Sequence, residues 1–256
     1  MTVAIIVAPR NTRFMETNPT SELAALEGLV PETVIRFVAT ALRPGDVVAF
    51  DADGTLWGLD VGEALLAALD ETRTLPGFPN GGAYQEYERR LGASLDDAFG
   101  FAAAVMGGLA RVDVEARAAA IARHQVAPKL FPWAPRMLAA VRAVGAECWV
   151  VSASPRIAVV PGAALLGIPA ERVVGVETEG DGDLLSSRLL RPLPCDGGKV
   201  EVLRARGLKP ALAFGDSRFD RPMLEMATLG VAVAPTGTDT PLAAWAASRG
   251  RPVVRT

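Results

Sequence analysis

Two aspartates one residue apart stand directly after an apolar run, in the segment FDADGT at 50–55. Acidic residues are poor strand formers, so Asp51 and Asp53 are expected at the carboxyl end of a strand rather than inside it. In parallel α/β sheets, ligands bind at that end of the strands. The pair is therefore a candidate for carboxylate chemistry on a bound ligand. The alternative is an ordinary Asp-Gly turn that ends a strand.

A hydroxyl group follows a second apolar run, in the segment VVSASP at 150–155. Ser152 stands at the predicted strand end, and Pro155 is suited to the first position of a helix. A hydroxyl and the free N–H groups of a helix start can together hold a phosphate oxygen. The alternative is a serine that only caps the helix.

Two further carboxylates, Asp216 and Asp220, follow a third apolar run in the segment GDSRFD at 215–220. Asp216 is expected to lie where it can meet Asp51. Carboxylate oxygens are the ligands that a hard cation prefers, so the two segments together predict a cation site. The alternative for Asp220 is a capping role at the start of the following helix.

Lysine is rare in this chain, which has 23 arginines and only three lysines, at positions 129, 199 and 209. A lysine in such a background hints at a need for a compact positive charge, which an arginine does not provide. Lys199 is therefore the fourth candidate. The alternative is a solvated lysine at a helix start.

Short apolar runs rich in β-branched residues predict buried strands, and amphipathic segments rich in Ala and Leu predict helices. The predicted strands are residues 47–50, 148–151, 173–176, 212–214 and 231–233, and the predicted helices are residues 136–144, 157–166, 199–206 and 221–227. Because strand and helix alternate, the fold class is α/β, with a parallel, Rossmann-like sheet between helices.

One interval breaks this alternation, because the region from 59 to 125 has helical patterns but no convincing strand. We interpret residues 59–125 as a helical cap domain inserted after the first strand, and residues 1–58 and 126–256 as the core. A second irregular stretch, 177–196, is rich in Gly and Asp and is expected to form a hairpin beside the sheet.

Composition and charge exclude several classes of partner. The formal net charge is −3 and there is no Lys/Arg block, which argues against nucleic acid or an anionic membrane and favours a small substrate. No apolar stretch is long enough to cross a bilayer. Cys148 and Cys195 have neither metal-ligand spacing nor a disulfide pattern, and the apolar run at 2–8 lacks the basic flank of an export signal. A cytoplasmic protein is expected, with its oligomeric state open.

The four segments occur in a fixed chain order that resembles the haloacid dehalogenase-like hydrolase superfamily. The resemblance covers residues 45–235, and its phosphatase branch with a helical cap, which includes phosphoserine phosphatase and phosphorylcholine phosphatase, is the most similar. The first motif is matched by DADGT at 51–55, the second by Ser152, the third by Lys199 and the fourth by the segment at 215–220. Four ordered matches are far more specific than any one.

The resemblance implies a role for each matched residue. Asp51 would be the nucleophile that forms a phospho-aspartate, and Asp53 the general acid/base. Phosphate would be bound by Ser152, Lys199, Thr55 and Ala153. Mg²⁺ would be bound by Asp51, the Asp53 carbonyl and Asp216, with Asp220 supporting the metal site. Such an arrangement makes chemical sense for transfer of a phosphoryl group to a carboxylate.

The resemblance also implies that the cap closes over the substrate. Trp57, Asp60 and Glu63 are the candidates for substrate binding from the cap side. In phosphorylcholine phosphatase-like members the leaving group is a cationic alcohol, and Trp57, Tyr84 and Tyr87 could form an aromatic cage for it. The alternative is that these aromatic residues belong to the core.

The expected function is therefore a Mg²⁺-dependent phosphatase that acts on a small phosphomonoester. Asp53, Asp216 and Asp220 argue against a dehalogenase, which needs neither a second aspartate nor a metal. A phosphonatase would need a cap lysine, and the only lysine near that region is Lys129. A phosphomutase, and a non-catalytic binding module that retains the fold, remain the alternatives.

Overall fold

The computed structural model describes residues 18–180 and 182–256; the segment 2–8 lies outside these ranges. Its centre is a sheet of six parallel strands in the order β3-β2-β1-β4-β5-β6. The strands are β1 (Val47–Phe50), β2 (Glu147–Pro155), β3 (Val173–Val176), β4 (Pro210–Gly215), β5 (Leu229–Ala234) and β6 (Val253–Arg255). The α/β class and the five predicted strands are confirmed.

The strand predictions differ from the structure in one missed strand and in strand lengths, since β2, β4 and β5 are longer than predicted. β6 was not predicted, because a three-residue edge strand of mixed burial gives almost no periodic signal. β2 continues through Ser152 to Pro155, so that the hydroxyl segment is the end of the strand itself. The following helix begins at Arg156, and Pro155 precedes its first position rather than occupying it.

Helices cover both faces of the sheet. The α-helices of the described residues are α1 (Pro19–Ala24), α2 (Glu32–Thr40), α3 (Val61–Glu71), α4 (Ala83–Leu91), α5 (Leu95–Ala104), α6 (Arg111–Ile121), α7 (Trp133–Ala143), α8 (Arg156–Leu165), α9 (Gly197–Ala205), α10 (Arg221–Met226) and α11 (Pro241–Ser248). A π-helical turn (Ala122–Val126) and short 3₁₀ turns (Ala127–Lys129, Ala170–Arg172 and Arg218–Asp220) connect some of them.

Side chains alternate across the sheet and form two hydrophobic clusters. Phe50 and Val150 belong to one cluster, together with side chains of α2, α7 and α8. Ala49 and Val151 belong to the other, together with side chains of α9, α10 and α11. Phe50 also stacks on Phe214 of β4, with ring centroids 5.0 Å apart. A strand covered on both faces must be apolar at every position, which explains the unbroken apolar runs in the sequence.

The interval between β1 and α7 contains α3, α4, α5 and α6. Buried side chains of these helices, such as Leu65, Tyr87 and Val114, belong to the same hydrophobic cluster as β1 and β2. The inserted helices therefore pack directly on the core, and the division into core and cap domains stays a prediction. In the irregular stretch, Thr178 pairs with Leu189 in an antiparallel bridge, so a short hairpin is present as expected.

Asp70 at the end of α3 ties that helix to the start of α4. Its carboxylate accepts bonds from the backbone N–H groups of Gly82, Ala83 and Tyr84 at 3.0 to 3.1 Å, and Gly82 has no side chain to cap the helix itself. Burial opposes the charge, but the three N–H donors outweigh it and hold the Asp70 pKa below its ordinary value.

We expect Asp70→Ala to lower the free energy of unfolding by about 1 to 3 kcal/mol at pH 7, as for loss of hydrogen bonds to a charged group. Because the pKa of Asp70 is lowered in the folded state, the stabilisation is present above the unfolded-state pKa of about 3.9. It is lost as the pH falls through the folded-state pKa. Urea unfolding at pH 7 and near pH 3 measures this. The control is the exposed Asp239→Ala; equal effects of both variants would contradict the capping role.

Among the described residues, no helix combines the length and the apolar character needed to cross a bilayer.

Candidate active site

Three strand ends bring the predicted site residues to one cavity. Asp51 follows β1, Ser152 lies near the end of β2, and Asp216 follows β4. The Asp51 N–H donates to the Phe214 carbonyl at 2.9 Å, which continues the pairing of β1 and β4 up to the site. The cavity at this edge has a volume of about 450 Å³, and its lining includes the predicted residues Asp51, Asp53, Asp60, Glu63, Ser152, Ala153, Lys199, Asp216 and Asp220.

Lys199 lies in the first turn of α9 and is only 2% exposed. Its ammonium group donates to Asp51 Oδ1 at 2.6 Å, to Asp220 Oδ1 at 2.6 Å and to the Val151 carbonyl at 2.8 Å. Burial alone would lower the Lys199 pKa, but the two carboxylates outweigh it and raise the pKa. The alternative of a solvated lysine is therefore wrong. Since an ammonium has three donors, contact with a phosphoryl oxygen requires exchange of one of these bonds.

Asp220 is enclosed by hydrogen-bond donors. Its Oδ1 accepts from Lys199, and its Oδ2 accepts from the Ser217 N–H and hydroxyl, both at 2.9 Å. Asp220 precedes α10, but its side chain makes no capping bond to that helix, so the capping alternative is wrong for α10. The side chain instead closes the preceding 3₁₀ turn and holds Lys199 against Asp51.

Thr55 connects two of the carboxylates. It is completely buried, and its hydroxyl lies 3.1 Å from both Asp51 Oδ2 and Asp216 Oδ1. Thr55 does not line the cavity and holds the two carboxylates instead, and its predicted phosphate contact stays a prediction. Gly54 permits this approach: its φ is 78°, and a Cβ there would lie 2.3 Å from Asp216 Oδ2.

Three carboxylates are close enough to share a cation. One oxygen from each of Asp51, Asp216 and Asp220 lies within 4.8 Å of the others. Burial and the neighbouring Asp220 carboxylate raise the pKa of Asp51 to about 6, and burial and Asp51 raise the pKa of Asp216 to about 8. The Lys199 ammonium is one positive charge beside three carboxylates, so it neutralises their negative charge only in part. A bound divalent cation would keep the carboxylates ionised.

Asp53 is held by donors on both of its oxygens. Oδ1 accepts from the Trp57 indole N–H at 2.7 Å and from the Val61 N–H at 3.1 Å, and Oδ2 accepts from the Ser154 hydroxyl at 2.6 Å. Burial and the nearby Asp60 carboxylate raise the Asp53 pKa well above its ordinary value. A carboxyl with a raised pKa holds its proton more firmly than an ordinary aspartate, which suits a general acid.

The cap side of the cavity differs from the prediction in its aromatic residues. Trp57 is completely buried, does not line the cavity and donates to Asp53, and its predicted contact with substrate stays a prediction. Tyr84 is also outside the lining, and its hydroxyl donates to Glu63 at 3.4 Å. Only Tyr87 of the predicted cage lines the cavity, so no three-residue aromatic cage forms around it.

Several residues at the cavity were not predicted from the sequence. The clearest case is Ser154. Its position could have been predicted, because a serine two positions after Ser152 in a strand lies on the same face. The apolar residues of the cap side gave no signal, because their side chains look like ordinary helix packing. The other unpredicted lining residues are Leu91, Leu95, Phe99, Ser217, Arg218 and Phe219.

Comparison with known proteins agrees with this geometry. The sequence model of one family, haloacid dehalogenase-like hydrolase, matches residues 48–225. A protein of unknown function from Bordetella pertussis Tohama I has a similar structure, with a TM-score of 0.70, 22% identity and coverage of 82% of this chain and 98% of that chain. No curated protein matches the chain.

Two similar structures have phosphatase names. A phosphoserine phosphohydrolase-like protein from Francisella tularensis has a TM-score of 0.53 and 20% identity, with coverage of 74% of this chain and 87% of that chain. A substrate-bound phosphoserine phosphatase has a TM-score of 0.52 and 15% identity, with coverage of 79% and 90%. At these identities the likeness shows a shared fold.

Proposed function

The chain belongs to the haloacid dehalogenase-like hydrolase family, and from this premise we propose that it is a phosphatase that hydrolyses a small phosphomonoester through a phospho-aspartate on Asp51. One observation carries the proposal: Lys199 is buried with its ammonium 2.6 Å from Asp51, in a cavity that Asp53 also lines. Such a charged pair stabilises a nucleophile and the charge that grows on a transferring phosphoryl group.

The proposed reaction has two steps. In the first, the Asp51 carboxylate attacks phosphorus in line, an oxygen–phosphorus bond forms to Asp51, and the bond to the leaving oxygen breaks as Asp53 protonates it. In the second, Asp53 takes a proton from water as the water oxygen attacks phosphorus and the bond to Asp51 breaks. Phosphate leaves, and Asp53 has regained its proton. The raised Asp53 pKa supports the acid role, since the group holds its proton more firmly than an ordinary aspartate does.

Mg²⁺ fits the donor set that the site offers. Asp51 and Asp216 supply carboxylate oxygens, the ligand type that Mg²⁺ prefers, and we assign the Asp53 carbonyl as a further ligand. Asp220 is assigned a supporting role, because both of its oxygens already accept bonds from protein donors. When bound, the ion would offset negative charge on the phosphoryl oxygens.

The cap side suggests the character of the leaving group. Asp60 and Glu63 line the cavity together with Tyr87, and burial raises the pKa of both carboxyls. Two acidic groups beside an aromatic ring favour a leaving alcohol that also carries a positively charged group, such as an ammonium. Phosphoserine, which is in the names of two structurally similar proteins, carries such an amine.

Phosphate release is expected to depend on Mg²⁺. A panel of phosphoserine, phosphocholine and phosphate esters of neutral alcohols is assayed with Mg²⁺, with Ca²⁺ and with excess chelator. Turnover is expected with Mg²⁺ and should fall to background in chelator, while Ca²⁺ supports it poorly because its coordination is looser. Esters of amino alcohols should be the better substrates.

A binding readout accompanies the activity assay. Mg²⁺ should raise the Tm of the wild type by binding the folded state, and Asp216→Asn should remove that shift. Full turnover in chelator, or no phosphate release from any ester with Mg²⁺, would refute the proposed function.

A further inference from the structure

The Asp53 side chain is fixed by donors from three separate segments. Trp57 belongs to the loop after β1, Val61 begins α3, and Ser154 lies in β2 about one hundred residues later in the chain. Their bonds to Asp53 are 2.7, 3.1 and 2.6 Å long. A single donor would leave the carboxyl free to rotate, whereas donors on both oxygens fix its plane.

The chemistry of these donors distinguishes the two oxygens. The groups on Oδ1 are the Trp57 indole N–H and the Val61 backbone N–H, which donate and cannot accept. Oδ1 must therefore remain an acceptor. Oδ2 accepts from the Ser154 hydroxyl alone among the described residues, which leaves its second acceptor position free to carry a proton. Only Oδ2 can thus gain or lose a proton without breaking a bond of this network.

The surroundings of Trp57 and Ser154 are shaped for these contacts. Trp57 packs against Gly162 of α8, where an added Cβ would lie 2.9 Å from the indole ring. The Ser154 hydroxyl lies against Gly62 of α3, where an added Cβ would lie 2.9 Å from its oxygen. Glycine at both positions leaves the room that the two donors occupy.

The tryptophans differ in what their indole nitrogens contact: the half-buried Trp149 donates to Glu147 at 3.1 Å, at the start of β2. The indole nitrogens of Trp133 and Trp245 are buried and make no hydrogen bond with the residues that the structure describes. The Trp57 nitrogen, in contrast, donates to a carboxylate at the candidate site. A hydrogen bond to an ionised carboxylate is stronger than one between neutral groups, so the Trp57 bond stabilises Asp53 most after it has given up its proton.

We propose that Trp57 and Ser154 are positioning residues for Asp53, and that they make Oδ2 the oxygen that gives its proton to the leaving group. This inference rests on the proposed function. In the first step the Oδ2 proton moves to the leaving oxygen as the phosphorus–oxygen bond breaks, while the Ser154 hydroxyl donates to Oδ2 throughout. In the second step Oδ2 takes a proton from the attacking water as the phosphorus–oxygen bond to Asp51 breaks.

The test uses the dependence on the leaving group. Wild type, Trp57→Phe and Ser154→Ala are assayed with Mg²⁺ on phosphate esters that range from p-nitrophenyl to simple alkyl. The quantity measured is kcat/KM, which includes the steps up to formation of the phospho-aspartate. An alkoxide needs protonation as it leaves and p-nitrophenolate needs little, so both variants should lose about tenfold or more on alkyl esters and less than about threefold on p-nitrophenyl phosphate.

Matched controls separate positioning from packing. Trp133→Phe removes the same ring atoms from a buried tryptophan without a hydrogen-bonded indole, and Ser248→Ala removes a hydroxyl that bonds only within α11 and its end. Both controls should show no added dependence on the leaving group. If Trp57→Phe does not fold, the leaving-group dependence of Ser154→Ala decides the test, because loss of one hydroxyl preserves the packing.

The outcomes are distinguishable. A steeper leaving-group dependence in the variants than in wild type supports positioning. An equal loss on every ester, or no loss, in an active wild-type background overturns the inference and leaves the proposed function standing. If the wild type releases phosphate from no ester, the proposed function fails and the inference fails with it.

Discussion

Asp51→Asn is expected to abolish turnover, by on the order of 10⁴-fold or more, as for loss of a nucleophile in other enzymes. An amide cannot form the phospho-aspartate, and the neighbouring carboxylates have other assigned roles: Asp216 as a metal ligand, Asp220 as the partner of Lys199, and Asp53 as the acid/base. Rapid acid quench with a labelled substrate should trap phosphate on the wild-type chain and none on the variant.

The same substitution is expected to preserve or increase stability in metal-free buffer. The folded-state pKa of Asp51 is raised to about 6, mainly by burial, so ionisation at pH 7 disfavours the folded state. A neutral amide removes that cost and also the repulsion from Asp220 and Asp216. Thermal unfolding at pH 7 should give a Tm equal to or above that of wild type.

A phosphoenzyme in Asp51→Asn, or phosphate trapped on another residue of the wild type, would contradict the assignment of the nucleophile.

Lys199→Met is expected to reduce kcat by about 10²- to 10³-fold with a smaller change in KM, the range seen when one preorganised donor is removed. The ammonium lies 2.6 Å from Asp51, so its loss frees the nucleophile and removes positive charge where negative charge grows in the transition state. It also leaves Asp51 and Asp220 buried without their shared partner. A lower Tm at pH 7 should therefore accompany the loss of kcat.

Two companion variants make this test specific. Lys199→Arg should rescue little. The Lys199 ammonium donates to Asp51, Asp220 and the Val151 carbonyl from one buried position, and a planar guanidinium is too bulky for that position. The control Lys209→Met changes an exposed lysine just after α9 and should leave kcat and Tm near their wild-type values. A kcat near wild type in Lys199→Met or Lys199→Arg would refute the role of Lys199 and weaken the assignment of the site.

The α/β class and the five central strands could be predicted because burial on both faces leaves unbroken apolar runs. The acidic and hydroxyl residues at the ends of those runs were found for the same reason, since a polar group directly after a buried strand is conspicuous. Lys199 needed a different signal. Its neighbours in the sequence say nothing of Asp51, and only its rarity against arginine and its order in the chain indicated a role.

The sequence located several residues of the site but not the direction in which their side chains point. Trp57 and Thr55 stand in or next to the first motif, and the sequence cannot show whether a side chain there points into the cavity or behind it. The structure buries both behind the carboxylates, where they make bonds that only the folded chain brings together. Ser154 was overlooked because its bond is to Asp53, a residue 101 positions away in the sequence.

The position of β1 in the sheet has a consequence for biosynthesis. β1 lies between β2 and β4, so residues 47–50 pair with residues 147–150 on one side and with residues 210–214 on the other. A nascent chain that has only its first half outside the ribosome has β1 and Asp51 but neither neighbouring strand. Such long-range pairing is slow to form, because distant segments must meet before any contact stabilises them. The candidate site is therefore assembled late in synthesis, after Lys199 and β4 have left the exit tunnel.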